Sequence, residues 1–237
     1  MKEIYYSITN DVFIPFPDYV RGVVVARGVK NGPSPAELTA LLREAEEQLR
    51  GKLGSGNIAE HPRIASWREA FRKTGVKPAE FRSSIEAMAR RVAKGQELPS
   101  INALVDIGNV LSLRHLVPTG GHALDDVRGD IVLRAATGEE IFVPFGETET
   151  EHPLPGEIIF AEGDVVMTRR WSWRQGVHTL TLPESTSIEF NVDGLPPVTS
   201  GEVESVCGEV VELVSRFCGG TFEKGLLSAA SPRMRLL

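Results

Sequence analysis

Only two cysteines, Cys207 and Cys218, occur in 237 residues, eleven positions apart and in no CxxC arrangement. A disulfide scaffold and a cysteine-based metal site are therefore not expected, and both read as reduced thiols of a cytosolic chain. No apolar run approaches the length of a membrane span, and the first ten residues carry no signal-peptide core. Neither a membrane nor an export route is expected, so the expected location is the cytoplasm. Walker A, GxGxxG, HExxH and GxSxG patterns are all missing, and the five histidines show no ligand spacing. Metal-dependent and serine-triad chemistries thereby lose their usual signatures, and no metal or cofactor is expected. No internal repeat or low-complexity linker divides the chain.

What is present suffices for a conventional core, with 41% hydrophobic and 24% charged residues. The net charge of −6 argues against a protein that coats nucleic acid, but the charge is uneven. Between residues 61 and 95 stand nine basic residues against three acidic ones, whereas residues 139–164 hold eight acids and no lysine or arginine. Such asymmetry lets one face meet a phosphate backbone while the other repels it. Solvated helix faces produce the same pattern, and charge counts alone do not separate the two.

Helical signals cluster at the two ends. Ser34-Pro35-x-Glu37 has the form of a capping box with proline at the first helical position, followed by Leu38, Leu41, Leu42, Ala45 and Leu49 at helical spacing. Further helices are expected over 65–73, from Pro78 to Gly95, and over about 202–217. Between 100 and 195 short β-rich runs alternate with turn signals, at 101–105, 110–113, 130–135, 140–143, 158–160, 165–168, 179–182 and 187–192. Thr137-Gly138 and Glu162-Gly163-Asp164 read as hairpin turns, and 20–26 as a strand buried on both faces. No βαβ unit recurs, so the expected class is α+β, with layered or sandwiched mixed sheets flanked by helices. The expected parts are 1–77 packed on a core of 78–195, with a C-terminal helix and tail over 196–237, all in one compact unit.

Three short patterns in register then carry more information. They are Val105-Asp106-Ile107-Gly108-Asn109-Val110, His122-Ala123-Leu124-Asp125, and Val132-Leu133-Arg134-Ala135-Ala136-Thr137-Gly138-Glu139. In order and spacing they resemble the VDxxNYV, HAFD and VRxAxxGE patterns of the B3/B4 module of the bacterial phenylalanyl-tRNA synthetase β chain. The likeness covers about 78–195 and leads us to expect a free-standing relative of that module. No other synthetase module is visible, so ligase activity is not expected.

The resemblance implies an editing fold that hydrolyses misacylated tRNA, chiefly tyrosine on the phenylalanine tRNA, with tRNA or aminoacyl-tRNA as partner and no DNA. An aminoacyl ester is already activated, so its hydrolysis needs a positioned water and donors for the developing oxyanion. Asn109 matches the family's asparagine and would hold a water or the ester carbonyl; otherwise it caps a turn after Gly108. His122 matches the family's histidine and would position or activate water; otherwise it is a hydrogen-bonded loop histidine. The glutamate with which the family reads the tyrosine hydroxyl falls at either Glu189 or Asn191: ungapped matching favours Asn191, residue chemistry Glu189. The family's glycine-rich loop is replaced here by residues 169–176, in which only Gly176 survives. Trp171, Trp173, Arg169, Arg170 and Arg174 would there bind phosphate and stack on a terminal adenosine, or else form an ordinary strand with tryptophans inward. Arg72, Lys73, Arg82, Arg90 and Arg91 are the expected RNA contacts, some of them ordinary helix-surface charges. The alternative to a hydrolase is a non-catalytic module that binds RNA or an aromatic amino acid.

Overall fold

A computed structural model describes residues 3–54 and 56–236. β1 (Tyr5–Ile8) and a single helical turn, α1 (Asn10–Phe13), lead to β2 (Val20–Arg27). Four helices follow: α2 (Ala36–Leu53), α3 (Pro62–Lys73), α4 (Ser84–Ala93) and α5 (Ala103–His115). Next come β3 (Thr119–Ala123), β4 (Ile131–Ala135), β5 (Ile158–Glu162), β6 (Val165–Arg169), β7 (Arg174–Gln175) and β8 (Ser187–Gly194). The chain closes with α6 (Ser200–Phe217), β9 (Thr221–Leu227) and β10 (Arg233–Arg235).

The strands form two sheets, ordered β10-β1-β4-β5-β6-β7 and β3-β8-β2-β9. The second is wholly antiparallel, and the first contains one parallel pair, β1 with β4. Arg21, Val23 and Val25 stand opposite Asp193, Asn191 and Glu189, and His122 stands opposite Glu189. Cross-strand partners share a face, and this face looks onto the first sheet. Arg21 donates to the Tyr6 hydroxyl of β1 at 2.7 Å, and His122 packs against Phe160 of β5 with ring centroids 5.1 Å apart. The opposite face carries the helices. A Cβ on Gly22 would lie 2.3 Å from the Cys207 sulfur of α6, so glycine is what lets that helix seat on β2. α5 lies beside β3 and α6, and α2 packs on α5. The layers are thus sheet, sheet and helices, in keeping with the α+β expectation, and β2 is buried on both faces.

Several local expectations are corrected. Residues 101–105 and 110–113 are not strands: α5 occupies that stretch, capped by the Asn102 side chain on the Val105 N–H. Asn109 is therefore mid-helix and caps no turn. The helix is buried nearly all round, so its sequence is apolar on every side and lacks a helical stripe. The Ser34 capping box does not form, because the Ser34 hydroxyl donates to the Asp106 carboxylate at 2.6 Å and α2 starts without a side-chain cap. The helix expected at Pro78 begins at Ser84, where Ser83 caps it. Residues 140–143 and 179–182 form no ladder strand, and Thr137-Gly138 is a turn whose N–H groups bind the Glu140 carboxylate rather than a hairpin.

Between the sheets, Arg21 is 1% exposed and bidentate on Asp193, at 2.6 Å from Nε and 3.0 Å from a terminal nitrogen. The Tyr19 hydroxyl donates to the same carboxylate, and Asn191 adds a bond of 3.1 Å. Removing one member leaves a buried charge uncompensated. Asp193→Ala is expected to lower stability by about 3–5 kcal/mol in urea unfolding, whereas Arg82→Ala, on the exposed surface, should stay within about 0.5 kcal/mol.

Candidate functional site

A cavity of about 170 Å³ opens where β3, the turn after β6, and helices α4 and α5 meet. Asn109 lines it from α5, His122 from β3 and Asn191 from β8, so three sequence-matched residues converge. The amide of Asn109 makes no hydrogen bond among the described residues. Trp171, Trp173 and Arg174 form a further wall, while Ser84 and Met88 stand at the α4 side.

His122 is buried, with Nδ1 at 2.6 Å from the Thr179 hydroxyl and Nε2 at 3.1 Å from that of Thr168. Burial, reinforced by the Arg21 and His178 charges, pulls its pKa down to about 3. It is a neutral imidazole at physiological pH, with both nitrogens engaged. Asn191 rather than Glu189 reaches the cavity. Glu189 lies off it, wholly buried, with neither carboxylate oxygen hydrogen-bonded.

Residues 169–176 do not take the form expected. Arg170 and Trp171 both adopt positive φ, 47° and 64°, a conformation that costs about 1–2 kcal/mol per residue. The resulting turn inserts the Trp171 ring among Tyr19, Phe16 and Trp67, at 4.8, 5.0 and 5.3 Å. Arg169 does not stand ready for phosphate: it bonds Glu157 through two nitrogens at 2.8 Å and Glu151 at 2.5 Å. Arg170 lies over the rings of Phe81 and Trp173, 3.7 and 4.4 Å from their centroids, beside Glu157. Arg174 pairs with Glu147 at 2.6 Å. The acidic run is thus folded onto these arginines and does not form a wholly free acidic face. Gly176 is not a cavity glycine either; a side chain there would strike the Val166 carbonyl and the Phe142 ring.

The glycine wall comes instead from Gly120 and Gly121 of β3. Asp193 N–H bonds Pro118 O and Leu124 N–H bonds Ser187 O, so by the antiparallel register Gly120 and His122 exchange bonds with β8. Gly121 then turns its backbone to the open edge of the sheet, where its carbonyl accepts from Gln175 at 3.2 Å. Sequence reasoning passed over this wall, together with Arg21, Asp193, Thr168 and Gln175. Two signals were there: a glycine pair beside the motif histidine, and one arginine inside an otherwise apolar strand, which demands a partner.

The basic segment divides as well. Arg72 pairs with Glu69, Arg90 with Glu86, and the Lys73 ammonium lies over the Phe16 ring. Arg82 and Lys94 make no ion pair among the described residues, and Arg91 bonds the Glu97 carbonyl. Arg82, Arg90, Arg91 and Lys94 line one groove along α4, and Met88 belongs to both this groove and the cavity.

Burial raises the Glu189 pKa from 4.5 to about 8. The folded state holds that proton where the unfolded chain has lost it, so stability falls as pH rises from about 4.5 to about 8. His122 works oppositely: between about 3 and 6.5 the unfolded chain is protonated and the folded one is not, so stability rises. The two oppose each other below 6.5, and above it Glu189 acts alone of the pair. Thermal unfolding at pH 6.5 and 8 should show Glu189→Gln losing less stability across that interval than the parent chain. An equal loss in both would contradict a neutral, buried Glu189.

The B3/4 domain model matches residues 66–219, extending at both ends beyond the expected 78–195. A crystal structure of an N-terminal fragment of the phenylalanyl-tRNA synthetase beta-subunit from Pyrococcus horikoshii aligns with a TM-score of 0.46 and 12% identity. That alignment covers 92% of this chain and 49% of that one, so the chain spans about half the length of that fragment. No curated protein sequence matches the chain. No helix among the described residues is long and apolar enough to cross a membrane. The family match takes in α4, α5 and β3 to β8, the elements that build the cavity, and the chain belongs to the B3/4 domain family.

Proposed function

We propose that this protein hydrolyses the ester of misacylated aminoacyl-tRNA, taking the charged 3′ end into the cavity between β3, α4 and α5. The observation that carries this reading is the convergence of an unengaged Asn109 amide and the outward backbone of Gly121 on one cavity. Both offer N–H donors to the oxyanion that forms when water attacks the ester carbonyl. Collapse of the tetrahedral intermediate breaks the bond to the ribose oxygen. That oxygen takes up a proton, and free amino acid and uncharged tRNA are released.

His122 is a positioning residue in this scheme. With its pKa near 3 it is a poor base at neutral pH, so the Thr168 hydroxyl, held at 3.1 Å, is the group that orients water. Trp173 offers a ring at the rim for the terminal adenine, and Arg174 is the arginine of its segment that lines the cavity. The body of the tRNA would follow the α4 groove, which leads to the cavity through Met88. The engagement of both His122 nitrogens favours one other reading, RNA or amino-acid binding without turnover.

A screen of purified protein against aminoacyl-tRNAs, tyrosyl pairs included, should show released amino acid. Asn109→Ala should reduce turnover about 10²- to 10³-fold, the usual loss for an oxyanion donor. Survival of every ester would eliminate the hydrolase reading and leave saturable binding as the outcome. In binding assays, Arg82→Ala and Lys94→Ala should weaken tRNA affinity across sequences and each lower the salt slope by about 0.7–0.9. An unchanged slope would place the RNA elsewhere.

A further inference from the structure

We propose that Gln175 and Thr179 hold His122 as its Nε2–H tautomer, so that the Thr168 hydroxyl faces the cavity as a donor as well as an acceptor. Burial first, and then the Arg21 charge on the cavity floor beside Asp193 and Asn191, keep the ring neutral. A neutral imidazole carries its single proton on one nitrogen, and the partners decide which. The Gln175 amide settles one side. Its Nε2 lies 3.0 Å from the Thr179 carbonyl and 3.2 Å from that of Gly121. Carbonyls only accept, so the group facing both is the NH₂ and not the amide oxygen. The same NH₂ faces Nδ1 of His122 at 3.4 Å, and a hydrogen on Nδ1 would set donor against donor. Thr179 gives the same answer independently. It is 1% exposed, and His122 Nδ1, at 2.6 Å, is the only partner of its hydroxyl among the described residues. A bare Nδ1 accepts that hydrogen, whereas a protonated one would leave it buried with no acceptor.

The proton therefore sits on Nε2 and is donated to the Thr168 oxygen at 3.1 Å. Thr168 is half-buried and lines the cavity, so unlike Thr179 it has open space for its own hydrogen. With one lone pair taken by His122, it keeps one hydrogen and one lone pair for the cavity. The other tautomer would spend that hydrogen on Nε2. In ester hydrolysis a hydroxyl of this kind accepts a proton from the attacking water and passes its own to the departing ribose oxygen. The bond formed joins the water oxygen to the carbonyl carbon, the bond broken joins that carbon to the ribose oxygen, and Thr168 ends as a hydroxyl. This proton path rests on the hydrolase reading; the tautomer does not.

Nitrogen-15 NMR of the histidine rings in the whole protein at neutral pH reads the tautomer directly. The His122 signals, assigned by their loss in His122→Asn, should show a protonated Nε2 and a bare Nδ1. Thr179→Ser, which keeps the hydroxyl, should leave this pattern in place, whereas Gln175→Leu combined with Thr179→Val should give the averaged shifts of a mixed ring. In deacylation of aminoacyl-tRNA that double variant should lower kcat roughly 10- to 10²-fold, the scale found for partners behind ligand histidines, with KM little altered. A protonated Nδ1 in the parent, or an unchanged ring in the double variant, overturns the inference; should the double variant fail to fold, the parent spectrum still decides. A released tautomer with undiminished kcat removes Thr168 from the proton path. A protonated Nδ1 with esters hydrolysed leaves the hydrolase reading standing, and a protonated Nε2 with every ester intact does the reverse.

Discussion

The ion pair of Arg21 with Asp193 is the constraint from which the arrangement of the two sheets follows. Both groups are withdrawn from bulk water, so most of their hydrogen-bonding positions are met from within the protein. Tyr6 brings β1 of the first sheet to the guanidinium, while Tyr19 and Asn191 complete the carboxylate from the second. An apolar contact of similar volume would hold the layers together as well or better, since desolvating two charges offsets most of their attraction. What a hydrocarbon core could not supply is direction. The pair fixes which faces of β2 and β8 meet the first sheet, and it leaves polar groups at the edge of the core where the cavity begins.

Charge is arranged by the same logic at the surface of the site. The acidic run of 139–164 read as a face opposed to the basic stretch 61–95, yet Glu147, Glu151 and Glu157 fold onto Arg169, Arg170 and Arg174. Their mutual neutralisation builds the strained Trp171 turn instead of a phosphate site. Along the α4 groove, Arg82, Arg91 and Lys94 have no carboxylate partner among the described residues. A charge count along the sequence records the excess but not which cations already hold a carboxylate, as Arg72 and Arg90 do.

Legibility in the sequence tracked how local each determinant is. β2, β8 and α6 follow from apolar runs, and α6 starts at a capping box of Thr199 and Glu202, a pattern that the sequence reading applied only at Ser34. The same logic failed at Ser34, whose hydroxyl is taken by Asp106, a partner 72 positions away. α5 was read as two strands because burial on all sides erases helical periodicity, and β3 was overlooked because its two glycines have low strand propensity. Glu189 and Asn191 could not be separated by pattern, since residues two apart on a strand share a face. Only the position of the cavity along β8 distinguishes them.

That distinction ties the chemistry of the cavity to the core. Asn191 is oriented by Asp193, and Asp193 is fixed by Arg21, so the character of the floor is inherited from the pair that aligns the sheets. Retuning the floor through Asp193 would unsettle the fold, because it exposes the arginine to an unpaired interior. Positions outside the network are freer. Gly120 meets Asn191 without bonding to its side chain, and Ser84 and Met88 reach the cavity from a helix that the ion pair does not touch. A change of selectivity that preserves stability would therefore be made on β3 or on α4, around an unchanged Arg21 and Asp193.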